Sequence, residues 1–340
     1  MKRYYCNHMF NEINFDVEKI MMCSGISAGA SHELYDEKKG KSYDEFITEL
    51  LKWRKSVVKK AFCGLIPKEC KNCLELEEKD ISLSDYLNGI FKNDFPISKI
   101  YVKTYRQCEL SCVYCLERRF THGKQTLEVV KSDYYDFLPI MKKMTEMNMI
   151  DKENTLISFH GGSISVWDEF DDVIDTAYNY GIKNFEFLTN AYRFLPKIAE
   201  IAKDRNVSIS VSLDSGCKET YQKIKNSDKF EEVVNNIVEY SKANVNVVFK
   251  YIILKDINDS IEELQKFLDT VTDVITRTGK DNGFCVMIDI DYRDILDPEY
   301  VMPQEHKDML TYFEEWGKNV KTDTYMQEYV RRKYEEKQPS

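Results

Sequence analysis

The chain has 340 residues, 43% of them hydrophobic, which is enough for one large domain or two smaller ones with a sizeable core. Net charge is −10 with no long basic stripe, so broad binding to a nucleic-acid backbone is disfavoured. No apolar run reaches the ~18 residues of a membrane span, and the opening MKRYYCNHMFNEINF lacks the apolar stretch of a signal peptide, so a cytoplasmic, non-membrane protein is expected.

Residues 1–98 hold five of the ten cysteines, a helical stretch over 43–60 and an acidic run over 75–80. In a reducing compartment, cysteines at this density point to metal or redox work rather than to a disulfide framework. From residue 99 onward, strand-like and helix-like runs alternate. The strands are predicted over 99–105 (KIYVKTY), 155–160 (TLISFH), 184–189 (NFEFLT), 207–213 (VSISVSL), 245–254 (VNVVFKYIIL) and 284–290 (FCVMIDI), all rich in β-branched and aromatic residues. Between them, Trp167, Phe170, Val173, Ile174 and Ala177 share one helical face, with Gly181 at the C-terminal cap. Phe230, Val233, Val234, Ile237 and Val238 form a second such face, and Ile261, Leu264, Phe267, Leu268 and Val271 a third. Pro139 interrupts the helical pattern after the first strand. Strict alternation predicts parallel strands with crossover helices, and six units suit either an open barrel or a doubly wound sheet. Residues 301–340 read as a terminal helix and a charged, solvated tail, giving divisions at 1–98, 99–300 and 301–340.

The strongest motif is YRQCELSCVYCLER, in which Cys108, Cys112 and Cys115 are spaced C-x3-C-x2-C, with Tyr114 before the last. Three thiolates hold three corners of an iron–sulfur cube and leave the fourth iron without a protein ligand, a place to bind and reduce a small molecule. This loop follows the first strand. His160-Gly161-Gly162 ends the second, Leu188-Thr189-Asn190 the third and Ser212-Leu213-Asp214 the fourth, while Lys250-Tyr251 lies in the fifth. The C-terminal strand ends of a parallel barrel form its active-site face, so these motifs are expected on one rim.

CELSCVYC, HGGSISVW, FLTNAY, VSLDSGCKETYQKIKNSDKFEEVVNNI and KYIILKDIND, in that order, resemble the motifs of the radical S-adenosylmethionine (radical SAM) enzymes. The resemblance covers roughly residues 99–291. It implies an α/β fold, a partial (β/α)6 TIM-like barrel, with a [4Fe–4S] cluster on Cys108, Cys112 and Cys115 and S-adenosylmethionine as cofactor. It places Tyr114 against the adenine and Gly161 and Gly162 at a close backbone approach to the methionine amine. Asn190, Ser212, Asp214 and Lys250 are the implied partners of the carboxylate or ribose. A low-potential electron donor of the flavodoxin or ferredoxin type is implied as partner. Hydrogen abstraction would open the reaction, leading to dehydrogenation, epimerisation or bond formation. One departure is Ser163, where the family has a glutamate. No stretch is left for a separate leader-binding domain, which leans the expected substrate from a peptide towards a sugar or other small metabolite.

Cys6, Cys23, Cys70 and Cys73, the last two in PKECKNCLELEE, resemble a twitch domain, the shorter relative of the SPASM domain, set before the barrel as a small cysteine-rich iron–sulfur module. This implies an auxiliary iron–sulfur cluster, with Cys63 as a substitute ligand. Four cysteines with one C-x2-C pair also suit tetrahedral zinc, and that alternative stays open. Cys217, after the fourth strand, is a candidate hydrogen-atom donor to a substrate radical; a loop cysteine of no consequence is the plainer reading. Cys285 reads as a small buried hydrophobe. The alternative from another class is a non-catalytic iron–sulfur or zinc protein on the same scaffold, with Ser163 as its support.

Overall fold

A computed structural model describes residues 3–6, 11–16, 20–21, 31–32, 41–66, 70, 76–80, 82, 97–115, 136–280, 282–295, 297, 299–320 and 322–335. Two units are distinguished, Met1–Gln107 with Leu127–Glu186, and Cys108–Thr126 with Phe187–Ser340.

The first unit contains β1 (Arg3–Tyr5), β2 (Glu12–Asp16), β3 (Ile20–Met21), β4 (Ser31–His32), α1 (Tyr43–Phe62), β5 (Glu77–Lys79), β6 (Lys99–Lys103), α2 (Phe137–Glu146), β7 (Leu156–Phe159) and α3 (Phe170–Asn179). β6 pairs in parallel with β7, and on its other side in parallel with β2, with Phe15 opposite Val102. β3 and β4 continue from β2 in antiparallel fashion, and β1 pairs separately with β5. The division expected at residue 98 therefore falls inside this unit, because β2 lies against the first barrel strand. β2 is buried on both faces, with Glu12, Ile13, Asn14 and Phe15 all buried. Ile13 and Phe15 are fully buried, and the Phe15 ring lies 5.2 Å from that of Phe137 on α2. α2 forms despite Pro139 because the proline sits in its first turn, where backbone N–H groups have no intrahelical acceptor to lose. α1 opens on a capping box between Ser42 and Glu45.

β8 (Asn184–Thr189) crosses the division. The second unit continues with α4 (Pro196–Ile201), β9 (Asn206–Ser212), α5 (Lys218–Lys225), α6 (Phe230–Lys242), β10 (Asn246–Ile253), α7 (Ile261–Thr278), β11 (Phe284–Ile290), α8 (Tyr292–Ile295), α9 (Gln304–Val320), β12 (Asp323–Met326) and α10 (Glu328–Glu335). β9, β10, β11 and β12 run in parallel in that order. The α/β class with parallel strands and crossover helices is thus the one the alternation predicts. Ile209, Val211, Phe249 and Ile288 are fully buried on these strands, as are Ile237 on α6 and Leu264 and Phe267 on α7. The C-terminal segment departs from expectation. It adds a strand to the edge of β11, and Met326 and Val330 are buried, so this region is not a wholly solvated tail. Among the described residues no helix is long and apolar enough to cross a membrane.

Phe15→Ala is expected to cost about 3–5 kcal/mol by opening a cavity under α2, read from urea unfolding. A loss below about 1 kcal/mol would show that β2 contributes little to the core of this unit.

Candidate active site

β6 delivers the chain to Cys108 through Thr104, Tyr105 and Arg106, all buried. Cys108, Cys112 and Cys115 are half-buried thiols, none of them in a disulfide. Cys108 Sγ accepts from Leu110 N–H at 3.4 Å, and Asn190 Nδ2 lies 3.8 Å from it at the end of β8. Asn190 thus lies beside the cysteine loop.

The loop is fastened to the C-terminal end of α5. Val113 N–H donates to Ile224 O at 2.9 Å, and Asn226 Nδ2 donates to Ser111 Oγ at 2.9 Å. Lys225 Nζ donates to Tyr114 Oη at 2.6 Å, lies 4.8 Å from the centroid of the Tyr114 ring, and forms an ion pair with Asp214 Oδ2. Tyr114 in turn donates to Asp214 Oδ2 at 2.5 Å. Lys225 and Asp214 are almost completely buried. Burial alone would lower the Lys225 pKa, but the charges of Asp214 and Cys112 outweigh it and the net shift is upward. Burial and the Asp214 charge hold the Tyr114 phenol well above its usual range.

Asp214 follows β9 with a positive φ of 58°. Its backbone N–H donates to Lys250 O at 3.2 Å, and its Oδ1 accepts from Ile252 N–H at 2.9 Å. Asn258 Nδ2 donates to Asp214 O at 2.8 Å and to Ile252 O at 3.0 Å, while its Oδ1 accepts from Leu254 N–H. The carboxylate of Asp214 is thus engaged within the fold. Ser212 is half-buried at the end of β9, beside Lys250 in the β9–β10 register, and Lys250 Nζ pairs with Asp289 at 2.8 Å.

Gly161 and Gly162 belong to the first unit and lie against the chain that leads to the cysteines. Gly161 has φ +100°, and a Cβ on Gly162 would lie 2.1 Å from Gln107 O. Ser163 N–H donates to Gln107 O at 2.6 Å, and Ser163 Oγ is 2.9 Å from Ser165 Oγ. What the glycines approach closely here is therefore the backbone of 105–107. His160 is hydrogen-bonded to Ser158 Oγ, and its ring lies 5.0 Å from that of Tyr101.

Cys217 is the N-cap residue of α5, with its thiol 3.4 Å from Thr220 Oγ1 and its N–H donating to Ser215 Oγ. Cys285 is half-buried on β11. Cys6 is buried in an apolar cluster with Val57, Val58 and Ala61, and Cys70 packs against the same cluster. Cys63 is exposed at the C-cap of α1. Cys23 and Cys73 lie outside the described residues.

Among the described residues no three His, Cys, Asp or Glu side chains gather as a site for a single metal ion. An iron–sulfur cube makes a different demand, since each cysteine binds its own iron. The donor set fits that group. Burial, assisted by the charges of Glu109, Cys112 and Cys115, pushes the Cys108 thiol up to about 12, and burial also raises Cys112, against the opposing Lys225. Deprotonating Cys108 and Cys112 calls for positive charge nearby, which bound iron supplies.

Sequence reasoning passed over Lys225, Asn258 and Tyr221. The available signal was register: Tyr221 and Lys225 are four apart on α5, and Lys225 falls on its buried face beside Ile224.

Lys225→Met is expected to destabilise the fold by about 3–5 kcal/mol, because it strands a buried carboxylate. Adding Asp214→Asn should recover part of that loss in a double-mutant cycle. The raised Lys225 pKa makes its contribution complete below the unfolded value of about 10.4 and lost as pH climbs through the folded value. Alkaline unfolding curves of the wild type and of Lys225→Met should accordingly converge; parallel curves would count against the assignment.

Residues 102–269 match the Radical SAM superfamily model. GTP 3',8-cyclase of Vibrio parahaemolyticus is 30% identical over 172 residues, covering 49% of this chain and 48% of that protein. GTP 3',8-cyclase of Haemophilus influenzae strain Rd is 29% identical over 175 residues, again 49% and 48%. The chain spans about half the length of these curated relatives. Among solved structures, Streptococcus suis SuiB bound to precursor peptide SuiA aligns over 83% of this chain and 62% of its own, at 13% identity and a TM-score of 0.48. Residues 102–269 of this chain thus carry a radical SAM domain.

Proposed function

We propose that this protein cleaves S-adenosylmethionine reductively and uses the product to abstract a hydrogen atom from a sugar, another small metabolite or a peptide. The observation that carries the reading is the C-x3-C-x2-C triplet of thiols inside the matched segment, fastened to the ends of β9 and α5. Cys108, Cys112 and Cys115 would hold a [4Fe–4S] cluster. When bound, that cluster supplies one electron to the sulfonium, and the 5′-deoxyadenosyl fragment released then takes hydrogen from substrate.

The protein's part is placement. Lys225 and Asp214 hold the aromatic residue before Cys115 in one position, and Asn190 keeps an amide beside Cys108. Gly161 and Gly162 leave room for the backbone leading into the triplet. Ser212 and Lys250 lie in register at the adjacent ends of β9 and β10, suited to the cofactor's polar groups. Cys217 is the candidate hydrogen donor. In the first unit, Cys6 and Cys70 meet in one apolar cluster, which supports an auxiliary iron–sulfur site completed by Cys23 and Cys73. We place the enzyme in the cytoplasm, with a flavodoxin- or ferredoxin-type donor. The GTP 3',8-cyclase relatives make GTP the first small metabolite to assay.

Anaerobic reconstitution followed by dithionite and S-adenosylmethionine should yield 5′-deoxyadenosine, and Cys112→Ala should abolish it. About eight irons per chain would mark two cubes. About four with one zinc would assign the first-unit cysteines to a structural metal, and an iron-loaded protein that forms no 5′-deoxyadenosine would overturn the proposal.

A further inference from the structure

Tyr221, on α5, is 1% exposed, and its hydroxyl makes no hydrogen bond among the described residues. Its neighbours in the same unit are provided for. Tyr240 Oη accepts from Leu195 N–H at 2.7 Å, Tyr251 donates to Asn258 O at 2.5 Å, and Tyr114 donates to Asp214. A phenol buried without an acceptor is costly, and folds retain such groups where a partner arrives later.

The position of Tyr221 on α5 narrows the choice of partner. It stands four residues before Lys225, so the two side chains leave α5 on the same face. The cysteine loop is fastened at the end of that face, through Val113 to Ile224 and through Tyr114 to Lys225. Burial, followed by the charges of Cys112, Asp214, Tyr192 and Glu109, pushes the Tyr221 phenol far above its usual range. Its hydroxyl is a buried donor with no acceptor among the described residues.

We propose that Tyr221 donates a hydrogen bond to the sulfur shell of the cluster at Cys112 and so sets its reduction potential. The inference rests on the reading that Cys108, Cys112 and Cys115 hold an iron–sulfur cluster. A hydrogen bond to cluster sulfur stabilises the added negative charge of the reduced state. Tyr221 is a positioning residue in this role, since it acts through the cluster and touches no substrate.

The experiment compares wild type, Tyr221→Phe and Tyr240→Phe by potentiometric titration of the reconstituted cluster, followed by electron paramagnetic resonance. Tyr221→Phe is expected to lower the reduced-to-oxidised ratio at a fixed potential about three- to tenfold, tenfold being about 59 mV for one electron. Tyr240→Phe should leave the ratio unchanged. Without iron, Tyr221→Phe should melt no lower than wild type, because no hydrogen bond is lost, whereas Tyr240→Phe should melt lower. Replacing Tyr221 by 3-fluorotyrosine, which keeps the hydroxyl and strengthens it as a donor, should shift the potential upward and gives a second reading if the phenylalanine variant loads poorly. An unchanged or raised ratio in Tyr221→Phe, a downward shift with fluorotyrosine, or a lower melting temperature of the iron-free Tyr221→Phe protein would overturn the proposal; the last would assign the phenol to Glu109. Failure of the wild type to assemble any cluster would instead sink the underlying reading.

Discussion

A single buried ion pair organises the second unit. Asp214 and Lys225 are both out of contact with water, and neither charge is tolerable there without the other. Through them, the end of β9, the C-terminal end of α5, the backbone of β10 and the ring of Tyr114 are tied to one point. Asn258 closes the arrangement from the other side by using its amide on both Asp214 and the β10 backbone. Apolar packing of similar volume could give comparable stability, but it would not fix the orientation of Tyr114 or of the loop that carries the cysteines. The pair trades stability for position, which is what a site with a reactive cofactor needs.

Much of this molecule was legible in its sequence for definite reasons. VSISVSL and VNVVFKYIIL combine β-branched residues with a largely alternating burial pattern, and they emerge as β9 and β10 within a residue of their predicted bounds. The cysteine spacing was legible because three thiols on one loop must be close in sequence. Asn258 was not, because its partners are backbone atoms of Asp214, Ile252 and Leu254, which carry no side-chain signature. Lys225 was passed over because nothing near it in sequence marks the carboxylate, eleven residues earlier, that it pairs with. Pro139 looked like an interruption, although a proline in a first turn breaks nothing. β12 is four residues long and mostly exposed, so its pairing with β11 leaves no hydrophobic alternation to detect.

The first unit carries a different lesson about modules. Its cysteine-bearing segment is bracketed by two strands that lie side by side, since β2 precedes α1 and β6 follows the Cys70 region, and the two are paired in parallel. Residues 17–98, most of the segment that resembled a separate domain, connect two neighbouring parallel strands, with α1 among the elements of that connection.

That topology governs the order in which the protein can assemble. Glu12 and Tyr101 meet across 89 positions of sequence, so the β2–β6 pairing closes one of the longer loops in the chain. Cys6 lies just before β2, while Cys70 lies within the loop that this pairing encloses. Local folding of α1 can bring Cys70 near its apolar cluster early, but Cys6 is anchored only as the strands around it settle. Cys6 and Cys70 thus reach the same apolar cluster from opposite sides of a long loop closure, and their approach waits on the pairing of the sheet.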